Sequence, residues 1–289
     1  MSEDAGAIES GSVDANGLEF SYLAAGPADG ALALCFHGFP DTAWGYRHLL
    51  PALAGEGYRA VAPFMRGYAP TSIPSDSQFS SAALVADAGA LHQALGGDER
   101  AVIIGHDWGA QPAYGAATRW PDRWRKVVGL ALPPGRVFGA GLLSYEQLRR
   151  SWYMFFFQSP LADMVVPAGD LAFIARLWED WSPGHDATDD LVHVRNSLGD
   201  PANLAAALGY YRAAFSGAPV PAEFTEEAAA LGQDPPQPLL YLHGADDGCI
   251  GVEIARNFEG AEIIEGAGHF LHLERPDLVN AKILEFVAS

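Results

Sequence analysis

The chain has 289 residues, of which 49% are apolar and 18% are charged, and this composition is typical of a globular protein with a substantial core. Its 36 acidic and 17 basic residues give a net charge of −19, which opposes binding to nucleic acids and to anionic membrane surfaces. We therefore expect neither as a partner, and no apolar stretch approaches the ~20 residues of a membrane-spanning helix. Two cysteines are too few for a disulfide framework and favour a reducing, cytoplasmic location.

Short apolar runs alternate with longer amphipathic or alanine-rich stretches, a pattern typical of βα units around a mostly parallel sheet. The first dozen residues are acidic and small, so we predict a loose tail at about 1–12 and no signal peptide. The predicted strands are residues 18–23, 31–36, 58–62, 101–104, 127–131, 238–242 and 262–264. The clearest predicted helices are residues 81–95 and 277–287.

One long region breaks this alternation. Residues 133–237 contain helix-like segments and many aromatic side chains but no clear strand. An excursion of about a hundred residues between two strands is far longer than an ordinary connection. We therefore predict an α/β core in two parts, residues 1–132 and 238–289, with a helical cap inserted at 133–237.

Residues 105–109 read Gly-His-Asp-Trp-Gly and lie between a buried strand and a helix-like stretch. This is a nucleophile-elbow pattern in which Asp107 stands where a serine hydrolase has its serine. The glycines are needed because such a turn strains its central residue and brings neighbouring main chains close together. Alone, the pattern is also compatible with a glycine turn whose aspartate caps the next helix.

Two further residues complete a triad in the chain order nucleophile, acid, histidine. Asp246 and Asp247 both follow the strand after the cap. We prefer Asp247 for its spacing from Gly244 and interpret Asp246 as a turn residue. His269 lies in a glycine-rich loop after the last strand, whereas its rival His272 lies among residues that resemble the start of packed structure.

Residues 37–40, His-Gly-Phe-Pro, follow the strand at 31–36, where a loop can supply an oxyanion hole. We expect the backbone N–H groups of Phe39 and Trp108 to point at the carbonyl oxygen of an ester formed on the nucleophile. His37 and His106 are interpreted as structural residues that brace the two loops.

Together these segments resemble an α/β-hydrolase, and specifically the epoxide hydrolases that use an aspartate nucleophile. The resemblance covers nearly the whole chain after the tail. It implies a mostly parallel central sheet with helices on both faces and an inserted helical cap. No metal-binding motif or dinucleotide fingerprint occurs, so we expect no cofactor and no metal. The expected partners are a small epoxide and water, in a monomer or a homodimer.

The aspartate determines the chemistry that this resemblance implies. A carboxylate is ionised at neutral pH, since its usual pKa is about 3.9, and it can attack an sp³ carbon without a base. Attack on an epoxide by Asp107 gives an ester, which water activated by His269 then hydrolyses. Asp247 orients the histidine and stabilises its protonated form.

The resemblance also implies donors for the epoxide oxygen. Tyr153 lies in a segment, 152–160, that is similar to the first cap-tyrosine segment of the family, and Tyr211 lies in one similar to the second, with Tyr210 as its alternative. Their phenols are neutral at pH 7, because the usual tyrosine pKa is near 10, and can donate to the oxygen. An apolar substrate pocket is expected from four residues: Phe39, Trp108, Trp152 and Phe270.

Two other functions stay open. A haloalkane dehalogenase uses the same nucleophile, and the Trp108 indole suits a halide. Phe39, however, stands where dehalogenases that resemble this chain usually have a halide-holding asparagine. A ligand-binding relative without catalysis is less favoured, because the complete set of reacting residues is present.

Overall fold

One eight-stranded sheet forms the centre of the computed structural model, which describes residues 6–289. Its strands are β1 (Glu9–Ala15), β2 (Leu18–Ala25), β3 (Ala31–Phe36), β4 (Tyr58–Pro63), β5 (Val102–His106), β6 (Lys126–Leu130), β7 (Leu239–Gly244) and β8 (Glu262–Ile264). They lie in the order β1-β2-β4-β3-β5-β6-β7-β8. The β1–β2 and β2–β4 pairs are antiparallel and all pairs from β4–β3 to β7–β8 are parallel. The predicted mostly parallel sheet is thus confirmed.

Helices cover the sheet. They are α1 (Leu49–Gly55), α2 (Ser81–Ala94), α3 (Ala110–Arg119), α4 (Gly135–Leu142), α5 (Tyr145–Arg150), α6 (Trp152–Phe156), α7 (Ala162–Val165), α8 (Ala168–Trp181), α9 (Thr188–Leu198), α10 (Pro201–Phe215), α11 (Thr225–Leu231), α12 (Val252–Ala255), α13 (Leu271–Glu274) and α14 (Pro276–Ala288). Every residue of β5 and β6 is buried, as expected for strands covered on both faces. Within residues 6–289, no helix is long and apolar enough to cross a membrane.

Between β6 and β7 the described chain forms helices and no strand. These helices, α4 to α11, occupy the region of the predicted cap. The last of them, α11, packs against the core helices α2 and α3. Arg119 of α3 also pairs with Glu226 and Glu227 of α11. The end of the excursion therefore packs with the core, and the cap boundaries at 133 and 237 stay a prediction.

The prediction of a loose tail is wrong for residues 9–12, which belong to β1, while residues 1–5 lie outside the described residues. A turn at Asn16 and Gly17 joins β1 to β2, and both residues have positive φ, 46° and 74°. Asn-Gly is the preferred sequence for a two-residue hairpin turn, because both central residues need positive φ. The turn therefore lets this acidic, small-residue segment pair with β2 as the edge strand of the sheet.

A buried ion pair joins the segment after β4 to helix α2. The guanidinium of Arg66 donates two hydrogen bonds of 2.6 Å to the carboxylate of Asp87, and both side chains are 3% exposed. Asn16 adds a hydrogen bond of 2.8 Å from its amide to Asp87 Oδ1. Removing one charge of such a pair leaves the other buried without a partner, which costs more than the intact pair contributes.

We expect the Asp87→Ala variant to lower the free energy of unfolding by about 3–5 kcal/mol, because Arg66 stays buried and charged. Urea denaturation at neutral pH measures this change. Glu146→Ala is the matched control, since it breaks an exposed pair with Arg149 and should change stability by at most about 0.5 kcal/mol. Equal losses in the two variants would contradict this prediction.

Candidate active site

Asp107 lies in a sharp turn between β5 and α3. Its φ of 50° is in the left-handed region, which is strained for a residue with a side chain. Main chains meet closely around it. A Cβ at Gly105 would lie 2.1 Å from the carbonyl oxygen of Gly109, and a Cβ at Gly109 would lie 2.1 Å from that of Phe36. Only glycine fits at these two positions, which explains the spacing of the elbow sequence.

The structure brings Asp247 and His269 close to Asp107. His269 Nδ1 lies 3.0 Å from Asp247 Oδ2, and its Nε2 lies 3.6 Å from Asp107 Oδ2. The backbone N–H groups of Cys249 and Ile250 donate to Asp247 Oδ1 at 2.7 and 2.8 Å. This fixes the carboxylate towards the imidazole, so that Nδ1 carries a proton and Nε2 faces the nucleophile.

The two rival residues are placed elsewhere. Asp246 is exposed and contributes no side-chain contact to His269, whereas Asp247 is buried. His272 is also buried, but its nearest carboxylate is Asp41, at 3.7 Å from Nε2. Of the alternatives that the sequence leaves open, only Asp247 and His269 lie in line with Asp107.

Electrostatics hold His269 in its protonated form. Burial alone would lower its pKa, but attraction to Asp247 and interaction with Asp107 outweigh burial and raise the pKa to about 10. The pKa of Asp247 is lowered: burial acts to raise it, and the attraction of His269 and the hydrogen bonds to the carboxylate outweigh burial. At neutral pH His269 is therefore an imidazolium, and it lies between the side chains of Asp247 and Asp107.

The segment after β3 faces the same carboxylate. The backbone N–H of Phe39 donates to Asp107 Oδ1 at 2.9 Å. The histidines of the two loops are hydrogen-bonded to backbone. His37 Nε2 accepts from the N–H of Met65 at 3.0 Å, and His106 Nε2 lies 2.9 Å from the carbonyl oxygen of His269. Both rings thus connect neighbouring segments, as expected for bracing residues.

The cap places two tyrosine hydroxyls at the cavity above this site. Tyr153 and Tyr211 both line it, and burial raises the pKa of each phenol well above its usual value. The hydroxyl of Tyr153 lies 3.3 Å from the sulfur of Cys249, and that of Tyr211 has no hydrogen-bond partner among the described residues. Tyr210, in contrast, donates its hydroxyl proton to the carbonyl of Arg66 at 2.8 Å and lies outside the cavity lining.

The cavity has a volume of about 240 Å³ and also exposes Asp107 and Trp108. Further polar residues in its lining are Ser81, Gln111 and Ser151. The rest of the lining is mainly apolar and includes Leu132, Phe138, Leu142, Met154, Phe215 and Ile250. Such a cavity fits a small, largely apolar molecule, since drug-sized ligands occupy pockets of roughly 300–1,000 Å³.

Of the four predicted substrate contacts, only Trp108 lines the cavity. Trp152 is 47% exposed and packs on the outer side of the cap, 5.8 Å between ring centroids from Phe173. Its neighbour Tyr153 faces inward. Consecutive side chains on an α-helix point about 100° apart, so the two rings cannot both face the cavity.

Phe39 and Phe270 are fully buried and lie behind the cavity wall. The ring of Phe39 packs edge-on against Tyr211, with 5.2 Å between centroids. The ring of Phe270 stacks on Trp178, with 3.5 Å between centroids. Both residues therefore support the residues around the site and do not face the cavity.

The end of α8 contributes contacts that sequence reasoning missed. The carbonyl oxygen of Trp181 accepts hydrogen bonds from the N–H groups of His269 and Gly248, at 3.0 and 3.1 Å. The hydroxyl of Ser182 accepts from Phe270 N at 3.1 Å and donates to Glu274 Oε1 at 2.6 Å. No sequence pattern marks these residues, because a backbone carbonyl can accept from any chain that folds against it.

The sheet order, the inserted helices and the nucleophile elbow define an α/β-hydrolase. The model of the alpha/beta hydrolase fold family matches residues 34–276, and the chain belongs to this family. It is 30% identical to epoxide hydrolase 4 of Mus musculus over 94% of this chain and 77% of that protein, and 30% identical to epoxide hydrolase A of Mycobacterium tuberculosis over 96% of each. The crystal structure of epoxide hydrolase A from Mycobacterium thermoresistibile superposes with a TM-score of 0.77, at 26% identity, over 98% of this chain and 99% of that one. Within the family, the chain resembles epoxide hydrolases.

We expect the Asp107→Asn variant to lower the pKa of His269 from about 10 towards the usual value of about 6.5. A negative charge beside the ring favours the imidazolium, so its removal favours the neutral form. Titration of ¹⁵N-labelled histidine followed by NMR measures the shift. Asp246→Asn, at the exposed rival aspartate, should leave the His269 titration unchanged. A wild-type titration in Asp107→Asn would show that the nucleophile does not control the charge of the base.

Proposed function

We propose that the protein is an epoxide hydrolase that adds water to a hydrophobic epoxide through a covalent ester on Asp107. One observation carries the proposal. An ionised carboxylate stands at the nucleophile elbow, and two cap tyrosines line the cavity that it faces. The carboxylate suits attack on an sp³ carbon, and the phenols suit an oxygen leaving group that must gain a proton.

In the first step, a carboxylate oxygen of Asp107 bonds to one epoxide carbon, and the bond from that carbon to the epoxide oxygen breaks. The electron pair of the broken bond passes to the oxygen, which takes a proton from Tyr153 or Tyr211. Because burial raises their pKa, both phenols stay protonated until negative charge develops on the epoxide oxygen. The products of this step are an alkyl ester, a free hydroxyl on the substrate and a phenolate.

The ester changes the charge of the base. Alkylation neutralises Asp107 and so removes one of the two charges that raise the pKa of His269. The imidazolium then releases a proton that restores the phenol. Protonated His269 before the reaction is therefore compatible with neutral His269 after it, and the first step itself produces the base that the second step requires.

In the second step, neutral His269 takes a proton from water as the water oxygen attacks the ester carbonyl of Asp107. The negative oxygen that develops accepts a hydrogen bond from the N–H of Phe39, which already contacts Oδ1 of Asp107. We assign the second donor to the N–H of Trp108. Collapse breaks the ester bond, and the leaving alkoxide takes the second proton of the attacking water from the new carboxyl group. A vicinal diol is released and the carboxylate of Asp107 is restored beside the imidazolium.

The substrate is an uncharged epoxide, because the cavity lining is mainly apolar and its volume is about 240 Å³. We place the enzyme in the cytoplasm, since Cys35 and Cys249 are both buried and unpaired, which fits a reducing compartment. A haloalkane dehalogenase is the competing function. Its halide leaves without a proton, so it gives the two tyrosine hydroxyls no role.

A single turnover in ¹⁸O-labelled water, with enzyme in excess over styrene oxide, tests the ester. Water attacks the carbonyl of Asp107, so the label should enter the Asp107 carboxylate, and the first diol released should carry none. Mass spectrometry of the diol and of the peptide that contains Asp107 measures both. Label in the diol alone would mean that water opens the epoxide directly.

His269→Gln provides the internal control, because only the second step needs the base. This variant should open one epoxide per chain and then stop as a stable ester on Asp107, visible as an increase in protein mass. A bromoalkane offered in parallel separates the competing function. Bromide release without epoxide opening would identify a dehalogenase, and binding of styrene oxide without turnover would identify a ligand-binding protein.

The tyrosines give a separate prediction. We expect the double variant Tyr153→Phe, Tyr211→Phe to lose about 10²–10⁴-fold in kcat for epoxide opening, because the alkoxide then has no proton donor. Steady-state diol production measures this loss. Tyr210→Phe is the matched control: its hydroxyl contacts only the Arg66 carbonyl, outside the cavity lining, and it should retain most of the activity. A larger loss in Tyr210→Phe than in the double variant would show that the donors are assigned to the wrong residues.

A further inference from the structure

A second group of titratable side chains lies buried beside the candidate active site. It consists of Asp41 from the segment after β3, His106 from the end of β5, and His272 from α13. Their exposed fractions are 3%, 0% and 2%, and none of them lines the cavity. One ligand atom from each lies within 4.8 Å of the other two. The proposed reaction uses none of these side chains.

Polar atoms in this group lack hydrogen-bond partners. Asp41 Oδ2, His106 Nδ1 and both ring nitrogens of His272 are buried and form no hydrogen bond with the described residues. Buried polar atoms in folded proteins nearly always have partners, so this group of unpaired atoms indicates a site for a bound water molecule or ion.

The ring of His106 shows which kind of ligand fits. Its Nε2 lies 2.9 Å from the carbonyl oxygen of His269, and a carbonyl can only accept, so Nε2 carries the proton. Nδ1 therefore presents a lone pair to Asp41 and His272. A histidine that donates one N–H to a backbone carbonyl while its other nitrogen is free has the arrangement of a metal ligand.

The ligand atoms themselves also favour a cation at the same place. The carboxylate of Asp41 has no cationic partner within 3.5 Å among the described residues, since the nearby Arg47 pairs with Asp190 at 2.6 Å. A carboxylate oxygen and one ring nitrogen from each histidine can offer three lone pairs to a single cation, whereas one water molecule can donate to only two acceptors.

We propose that Asp41, His106 and His272 bind a divalent transition metal ion of the Zn²⁺ type. Two imidazoles and one carboxylate suit such ions better than Mg²⁺ or Ca²⁺, which prefer oxygen ligands. Bonds of about 2.0–2.2 Å place neighbouring ligand atoms roughly 3.4 Å apart in a tetrahedral site. Asp41 Oδ2 and His272 Nε2 are already 3.7 Å apart.

The ion would be structural. It connects the segment that carries Phe39, the strand that ends at the nucleophile and the segment after His269. Because His106 precedes Asp107 and also hydrogen-bonds the backbone of His269, the ion would hold the main chains of nucleophile and base at a fixed separation.

Another trio of metal-binding side chains must be separated from this one. Asp107, Cys249 and His269 also present ligand atoms within 4.8 Å of one another. That trio includes a thiol and lies at the reacting atoms, whereas the proposed site has only nitrogen and oxygen ligands. Substitutions and the spectrum of a bound ion distinguish the two.

The test measures metal content in the full-length protein expressed in zinc-supplemented medium, so that the ion can enter during folding. After dialysis against a chelator, we expect about one zinc per chain in the wild type and in the Cys249→Ser and His48→Gln variants, and at least about a tenfold loss in Asp41→Asn and His272→Gln. His48→Gln removes a histidine outside the proposed site. Thermal unfolding should show a higher Tm with zinc only in the proteins that retain it.

Cobalt supplies a measurement that needs no variant. Wild-type protein expressed with Co²⁺ should show the visible bands of a low-coordinate ion without the near-ultraviolet band of a cobalt–thiolate bond. A zinc content below about a tenth per chain in the wild type would overturn the proposal. So would a thiolate band, or zinc that is lost in Cys249→Ser and retained in His272→Gln. None of these results depends on the epoxide reaction, so the two proposals can fail separately.

Discussion

The close approach of three main chains around Asp107 is the constraint on which the rest of the site depends. The end of β5, the start of α3 and the end of β3 meet so tightly that Gly105 and Gly109 cannot carry a Cβ. Asp107 accepts a left-handed backbone as a result, and its carboxylate reaches the N–H of Phe39 on one side and faces His269 on the other. The strained backbone at Asp107 thus keeps its carboxylate in a fixed position. Strained backbone of this kind is concentrated at functional sites.

Each charged side chain of the site lies beside a side chain of opposite charge. One imidazolium between two buried carboxylates leaves a single net negative charge, and two backbone N–H groups offset part of it at Asp247. The cap adds phenols, which are polar but uncharged. A buried charge is costly unless it is paired, so this arrangement lets the site be dry and still hold a reactive carboxylate.

Local patterns could be predicted from the sequence, and three-dimensional ones could not. The elbow and the triad order were accessible because glycine spacing reports close main chains directly, and seven of the strands were accessible as apolar runs. The sequence could not show which side of α6 faces the cavity. Trp152 and Tyr153 are adjacent in sequence, and only packing decides which of them faces inward. β1 could have been found from the Asn-Gly turn. Asp41, His106 and His272 have no characteristic spacing in the sequence. They come from three separate segments of the chain, which the fold brings together.

The Trp181 carbonyl has a consequence for how the cap can move. This one oxygen accepts from the N–H of Gly248, in the loop that carries Asp247, and from the N–H of His269. If α8 lifted away, both N–H groups would lose their partner together, and the loops that carry Asp247 and His269 would be loosened at the same time. The end of α8 therefore holds the loops of Asp247 and His269 together at a single oxygen atom.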